Sequence, residues 1–449
     1  MHGMTLSYGL LLAVACLCLL PLLVALRLKR GDLFEPIFWA TAYFAVLFVL
    51  RPLYDLTLGS EFLGEPPFDP VTLQSFEVAL VYAFLGFAFF LCGYYVNANR
   101  ALARSLPRLP AAWDDWKGKA VSLVLVALGL AAFAWNVVTF GGLASYLSNK
   151  TQTLTEAGQG YQLLGVSLIT IAFALRLTQW RKGATGFVTY GLVYPALLAI
   201  GLASGSKGAF LIPLLVWIVV VHYLRRRVRI ATIAGLVLLT ILLFPLFNLY
   251  RHVPNLLEAA PEMVANPPDS AASEFVIRHG MSRFYGIDSL TLIVRDTPAT
   301  MDYQYGQTIY PLFVAWIPRQ IWEDKPIVSF GKVFAEEYLG DFFAGTGVSG
   351  SPTLLGEAYL NWHVIGMLAV AFLSGVLVRT VYLWLVHENF GAPAIFIYSQ
   401  IFLYLFTFWE ASIAGLIAER LAGFTMLLLV VLIAGRGYRS DRTEAGQVP

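Results

Sequence analysis

Positive side chains occur throughout one long polar stretch of a chain in which only 13% of the residues are charged. Residues 250–356 contain Arg251, Arg278, Arg283, Arg295, Arg319, Lys325 and Lys332. Acidic residues are also frequent there, so ion pairing at a solvated surface is the simplest interpretation of any single arginine. The planar guanidinium also matches two phosphate oxygens at once. A phosphate or pyrophosphate ligand is therefore one interpretation of this stretch.

Ionisable residues in or beside apolar segments form a second group, since burying them is costly and they often serve function. They are Glu77, Glu357, Arg379, Glu410, Glu419 and Arg420. Partial burial raises the pKa of a carboxyl group, which would suit a base acting on a sugar hydroxyl. Glu410 and Arg420 are equally typical of an interfacial loop, so both interpretations stay open.

Other chemical motifs are weak or missing. The stretch Gly345–Gly350 matches G-x-G-x-x-G but follows no predicted strand, so a flexible glycine loop is the better interpretation. The histidines lack zinc-site spacing, D-x-D is absent, and the three cysteines lie in apolar segments. We therefore expect no metal site.

Composition is typical of a membrane protein. Of 449 residues, 58% are hydrophobic, 14% are aromatic and only 13% are charged, whereas an average soluble domain has about 25% charged residues. The net charge of +2 supplies no basic face, which argues against a nucleic acid partner. The lipid bilayer is the first predicted partner.

Eleven apolar segments are long enough to span a bilayer, which takes about 17–25 residues. They lie near residues 5–26, 36–53, 74–97, 119–140, 161–178, 185–203, 208–223, 230–249, 358–385, 392–409 and 411–434. Lysine and arginine are alternately frequent and rare in successive connections. Because basic connections face the cytoplasm, the N-terminus is predicted outside and the C-terminus inside. We expect an all-α fold with about 11 spans (10–12).

Four parts follow from this topology. Residues 1–249 would form a membrane bundle of eight spans, and 250–356 one large extracytoplasmic loop that covers the active site. Residues 357–435 would form a bundle of three spans, and 436–449 a cytoplasmic tail.

Two apolar stripes at helical spacing occur within the large loop. They consist of Ile287, Leu290, Ile293 and Val294, and of Phe330, Val333, Phe334 and Tyr338. We expect two short amphipathic helices that lie on the membrane surface or cover a cavity. For each stripe taken alone, the simpler interpretation is that the helix only packs the loop against the rest of the protein.

Several motifs together resemble one bacterial family. They are GSKG at 205–208, YGQT at 305–308, IPRQIWEDKP at 317–326, and GEAYLNW at 356–362 followed by Gly366. In these motifs the chain resembles the oligosaccharide repeat-unit polymerases, the Wzy-type O-antigen polymerases. Lys207 stands where arginine is expected, which keeps the charge but loses the bidentate fork.

The resemblance implies a GT-C-like fold and a glycosyltransferase without metal or cofactor. It would move a growing glycan from undecaprenyl pyrophosphate to the non-reducing end of a lipid-linked repeat unit, on the outer face of the bacterial inner membrane. The implied partners are lipid-linked oligosaccharides and a chain-length regulator protein.

The resemblance also implies roles for individual residues. The expected pyrophosphate ligands are Arg283, Arg278 and Arg319, supported by Lys207 and Arg420. Glu357 is the first candidate for the general base, and Asp288 and His279 are the reserves. A base would be dispensable if the leaving group were sufficiently stabilised.

Two other functions remain open at this stage. An O-antigen ligase or another transferase that uses lipid-linked sugars would share the donor and differ in the acceptor. A polyprenyl-oligosaccharide flippase or transporter would show repeated halves and charges at mid-membrane. Here the charges lie near the ends of the predicted spans, which favours chemistry on the outer face.

Overall fold

The computed structural model is mostly helical. It describes residues 2–28, 31–60, 62–148, 160–179, 194–203, 207–236, 281, 283–314, 317, 322, 330–339 and 350–438. The predicted apolar segments near 185–203 and 230–249, and the glycine loop at 345–350, lie partly outside these residues.

The helices and strands follow one another along the chain with short connections in several places. They are α1 (His2–Leu28), α2 (Pro36–Leu58), α3 (Pro70–Tyr95), α4 (Ala98–Ser105), β1 (Pro110–Trp113), α5 (Asp115–Thr139), α6 (Leu143–Ser148), α7 (Gly160–Gln179), α8 (Tyr194–Ala203), α9 (Lys207–Leu224), α10 (Gly286–Asp296), α11 (Pro311–Val314), α12 (Phe330–Tyr338), α13 (Leu354–Glu388), α14 (Ala392–Ile401), α15 (Tyr404–Glu410), α16 (Ile413–Ala434) and β2 (Gly435–Tyr438).

Local sequence signals explain where several helices begin. Asp69 accepts hydrogen bonds from the Val71 and Thr72 amides at the start of α3, and Pro70 occupies the first helical position. Asp114 caps α5 in the same way. Short polar side chains before apolar runs therefore set these boundaries.

Five helices in the described part of the chain are long and apolar enough to cross a membrane. They are Thr5–Arg27 within α1, α2, α3, α5 and α13, and the pair α14 and α15, bent by 42°, makes a sixth if it forms one span. Shorter apolar helices occupy Ser167–Gln179, Leu211–Leu224 and Gly423–Ala434. These helices suggest a membrane protein, as predicted from composition. They do not establish the predicted total of about 11 spans.

The chain divides into two compact units, each built from discontinuous segments. The first unit contains Met1–Ala103, Ile277–Leu383 and Tyr404–Ala422, and the second contains Arg104–Val276, Trp384–Leu403 and Gly423–Pro449. Helices distant in sequence pack together within each unit. The division into four parts concerns the position of the chain relative to a membrane and stays a prediction.

Close helix packing defines the first unit. Helices α3 and α13 pack along each other, and Gly93 and Gly375 lie against the backbones of Phe372 and Phe90. Neither position has room for a Cβ atom. Small residues permit this approach, as is common between helices in membranes.

The first predicted amphipathic stripe forms α10, but this helix lies inside the first unit. Ile287, Leu290 and Ile293 are fully buried, and so are the polar residues Asp288 and Thr291 on the other faces. Helix α10 packs on α3, α13 and α2. Helix α10 therefore packs within the protein instead of lying on the membrane surface, and Asp288 on its polar face pairs with Arg51.

The second stripe forms α12. Phe330, Phe334 and Tyr338 are buried, and the rings of Phe334 and Tyr338 stack with centroids 5.1 Å apart. Helix α12 packs on α10 within the first unit. The predicted helix is confirmed.

In the second unit, a short antiparallel ladder joins β1 to β2. Trp113 of β1 donates a hydrogen bond from Nε1 to Thr178 of α7 and packs edge-on against Phe396 of α14. The ladder attaches the segment after α16 to the segment before α5.

Candidate functional site

A buried ion-pair cluster lies between α2 and α10 in the first unit. The Arg51 guanidinium donates to both carboxylate oxygens of Asp288, at 2.9 and 3.1 Å. Its Nη1 donates to the Met281 carbonyl at 2.7 Å, and its Nε lies 2.9 Å from Asp55 Oδ1. The side chains of Arg51, Asp55 and Asp288 are 2%, 0% and 0% exposed.

This cluster explains why α10 is buried. A bidentate arginine–carboxylate pair fixes the orientation of both partners, and removal of either leaves an uncompensated buried charge. Ser60 completes the cluster by donating to Asp288, while its own hydroxyl oxygen accepts from the Phe62 and Leu63 amides. Asp288, a reserve candidate for the base, is thus held by Arg51 away from solvent.

Arg51 is a further site residue, which the sequence motifs did not indicate. The available signal was the spacing of Arg51 and Asp55, which places both side chains on one face of a helix. No local pattern identified Asp288 as the distant partner.

Glu357 lies in the first turn of α13 and is fully buried. Its Oε1 accepts from the Thr308 hydroxyl at 2.7 Å, and its Oε2 accepts from the Ile413 amide at 2.5 Å. Asn361 donates to Thr308 at 2.7 Å and accepts from the Gly306 amide at 2.7 Å. Because Ile413 begins α16, one carboxylate joins the loop at 304–310 to a helix N-terminus.

The helix segment that carries Glu357 is bounded by two unusual backbone conformations. Thr353 has φ 62° and ψ 156°, and His363 has φ 61° and ψ −168°. Residues other than glycine rarely adopt this region, and such conformations persist where the surroundings determine them. The Gln304 amide donates to the Leu360 carbonyl and so satisfies one acceptor at the break.

Arg283 is a half-exposed ionic group of the first unit. It pairs with Glu410, whose other carboxylate oxygen accepts from the Tyr43 hydroxyl. The Ser351 hydroxyl donates to the Glu410 carbonyl, and the Ser351 amide donates to the Tyr285 hydroxyl at 3.1 Å. The side chains of Arg283 and Glu410 are 52% and 15% exposed.

The Arg283 guanidinium and the Tyr285 hydroxyl each stay in one charge state at physiological pH. Partial burial opposes the charge on Arg283, but Glu410 and nearby phenols outweigh it and raise the pKa of the guanidinium. Burial raises the pKa of the Tyr285 phenol, so this hydroxyl stays neutral at physiological pH. The arrangement can offer a permanent cation, a carboxylate and neutral hydroxyls to a polar ligand.

The remaining predicted site residues are only partly described. Arg278, His279 and Arg319 lie outside the described residues. Lys207 is the first residue of α9, and Arg420 lies within α16. Within the described part of the chain, the structure brings Arg283 together with Glu410, and it separates Asp288 and Glu357 into two buried networks. No group of three or more His, Cys, Asp or Glu side chains there is placed to hold a metal ion.

Comparison with known proteins gives one family match. A family model described as Domain of unknown function (DUF8712) matches residues 127–434. No curated protein and no solved structure matches the chain.

Proposed function

The chain belongs to the DUF8712 family, and we propose that it is a membrane glycosyltransferase that polymerises lipid-linked oligosaccharide repeat units. It would transfer the growing glycan from undecaprenyl pyrophosphate to the non-reducing end of a new unit. The observation that carries the proposal is the half-exposed Arg283 beside the partly buried Glu410. In this reaction a cation stabilises the leaving group, and a carboxylate can take the proton of the attacking hydroxyl.

In the proposed step, an acceptor hydroxyl oxygen attacks C1 of the donor sugar. The bond between C1 and the pyrophosphate oxygen breaks, and its electron pair leaves with the pyrophosphate. Arg283 binds that oxyanion with guanidinium nitrogens that do not face Glu410, and the hydroxyl proton moves to Glu410. Arg278 and Arg319 are proposed as further pyrophosphate ligands, with Lys207 and Arg420 in support.

Glu357 is proposed as a positioning residue for this site. Its carboxylate is fully buried, accepts from Thr308 and Ile413, and so contacts the backbone three residues after Glu410. The carboxylate therefore supports the backbone that presents Glu410. The predicted role of Glu357 as the base stays a prediction, which a substitution described below tests.

The topology completes the proposal. About 11 spans would place residues 250–356 outside the cytoplasm, with the N-terminus outside and the C-terminus inside. The chain would then act on the outer face of a bacterial inner membrane. Arginines would supply the positive charge that a metal supplies in other transferases.

Arg283→Ala is expected to abolish long-chain polysaccharide while single repeat units still reach the cell surface. Loss of one preorganised donor to developing charge typically lowers the rate by about 10²–10³. The measurement is a polysaccharide gel from cells in which the variant replaces the wild-type protein, with membrane levels compared by immunoblot.

Arg295→Ala is the matched control. Arg295 comes from the same region of the chain and pairs with its neighbour Asp296 at 2.7 Å. Its loss should therefore leave the distribution of polysaccharide chain lengths on the gel unchanged. A normal distribution of polysaccharide chain lengths in Arg283→Ala would contradict the proposal. If Arg283→Ala also removed the single repeat units from the cell surface, the polymerase proposal would be contradicted and a transporter favoured.

A further inference from the structure

Aromatic side chains gather where α13 breaks, on the loop side of Glu357. The rings of Tyr303 and His363 have centroids 5.2 Å apart, and those of Tyr359 and His363 lie 5.6 Å apart. Tyr305 packs edge-on against Tyr303 at 6.2 Å. Tyr82 of α3 adds a ring 5.4 Å from Tyr359. We call the rings of Tyr82, Tyr303, Tyr305, Tyr359 and His363 the ring cluster.

The ring cluster is open on one side. Tyr305 is 77% exposed, His363 is exposed, and Tyr303 and Tyr82 are half-buried, whereas Tyr359 is 5% exposed and forms the floor. The Tyr303 hydroxyl donates to the Tyr359 hydroxyl at 3.2 Å. The cluster thus combines ring faces with hydroxyl and imidazole groups at an accessible surface.

Backbone geometry holds the exposed rings in place. Tyr305 has φ 46° and His363 has φ 61°, both in the left-handed region that side chains other than glycine rarely adopt. Packing does not explain the conformation of a side chain as exposed as that of Tyr305. The Gly306 amide next to it donates to Asn361, which is hydrogen-bonded to Thr308.

We propose that the ring cluster is a carbohydrate subsite that stacks a pyranose ring of the glycan beside the reaction centre. The apolar C–H face of a sugar fits an aromatic face, and its hydroxyls fit the surrounding phenol and imidazole groups. This inference rests on the proposed function for the identity of the glycan.

The position of the ring cluster suits a glycan that extends from the reaction centre. Glu357 accepts from Thr308 of the ring-bearing loop through one oxygen and from Ile413 through the other. The Glu357 carboxylate therefore connects this loop directly to Ile413, three residues after Glu410. A sugar bound at the ring cluster would lie near the sugar whose bond is made or broken at Arg283 and Glu410.

An interfacial aromatic belt is the alternative explanation for exposed tyrosines in a membrane protein. A belt presents rings to lipid headgroups and needs no contact among them. In the ring cluster the rings contact one another, and two of the exposed members have restricted backbones. These features favour a preorganised ligand site.

The test uses the purified full-length protein in detergent with two probes. One is the lipid-linked repeat unit as substrate, and the other is the free oligosaccharide released from it by mild acid. Tyr305→Asn removes the ring, and asparagine tolerates the left-handed backbone. Tyr305→Phe keeps the ring. Tyr310→Asn, at a 57% exposed tyrosine of the same loop, is the control.

Tyr305→Asn is expected to raise the KM for the repeat unit and the Kd for the free oligosaccharide about tenfold, with kcat nearly unchanged. Tyr305→Phe and Tyr310→Asn should stay within about twofold of wild type in both. Unchanged KM and Kd in Tyr305→Asn would overturn the subsite and favour the belt.

The two proposals fail in different ways. Oligosaccharide binding that weakens in Tyr305→Asn, in a wild-type protein that makes no polymer, would support the subsite and contradict the proposed polymerase. Polymer formation by the wild-type protein, with a KM that does not change in Tyr305→Asn, would support the polymerase and contradict the subsite.

Discussion

Arg51→Met is expected to destabilise the protein by about 3–5 kcal/mol, because it leaves two buried carboxylates without their shared cation. Asp288 and Asp55 both lie within reach of the Arg51 Nε atom, and neither is exposed to solvent. Methionine fills a similar volume, so the loss of stability would result from the missing charge pairing and not from a cavity. The measurement is the melting temperature and the size-exclusion profile in detergent.

Arg104→Met is the matched control. Arg104 pairs with Glu388 at 3.1 Å, but its side chain is 55% exposed, and such pairs contribute about 0–1 kcal/mol. Adding Asp288→Asn to Arg51→Met should recover part of the lost stability, since one buried charge is removed. A melting temperature of Arg51→Met within about 2 °C of wild type would show that the cluster does not stabilise the fold.

Glu357→Ala should unfold or inactivate the protein, whereas Glu357→Gln should retain polymer formation within about tenfold of wild type. Alanine leaves the Thr308 hydroxyl and the Ile413 amide buried without their acceptor, at about 1–3 kcal/mol each. Glutamine keeps one acceptor oxygen, and the Thr308 hydroxyl can accept from its amide. The measurements are the melting temperature and polymer formed per folded protein.

The comparison separates two roles for Glu357. Loss of a general base lowers the rate by about 10²–10⁴, so a folded Glu357→Gln without polymer would identify Glu357 as the base and contradict the role proposed for Glu410. Glu337→Gln, which changes an exposed carboxylate of α12, is the control for loss of a negative charge.

Hydrophobic length and helical period predicted much of the fold. The segments near 5–26, 36–53, 74–97, 119–140 and 358–385 each coincide with a helix able to cross a membrane. Both amphipathic stripes form helices for the same reason. These features follow from local sequence, because an apolar run and the helical period of 3.6 residues can each be recognised within a single segment.

The site depends on partners distant in sequence, and these could not be predicted. Arg51 and Asp288 are 237 positions apart, and Tyr43 and Glu410 are 367 apart. Helical period also predicts which face of α10 is apolar but cannot say whether its polar face meets water or Arg51. Arg283 and Glu410 were each singled out by charge, while their pairing came from the fold.

Polymer formation by the purified chain alone distinguishes a polymerase from a transporter, and it can be measured with lipid-linked repeat units in detergent. Wild-type protein should give a series of products of increasing glycan length and release undecaprenyl pyrophosphate, and Arg283→Ala should give neither. Transport cannot produce a ladder where there is no membrane to cross. Correctly folded wild-type protein that leaves the repeat units unchanged would show that this chain is not the polymerase.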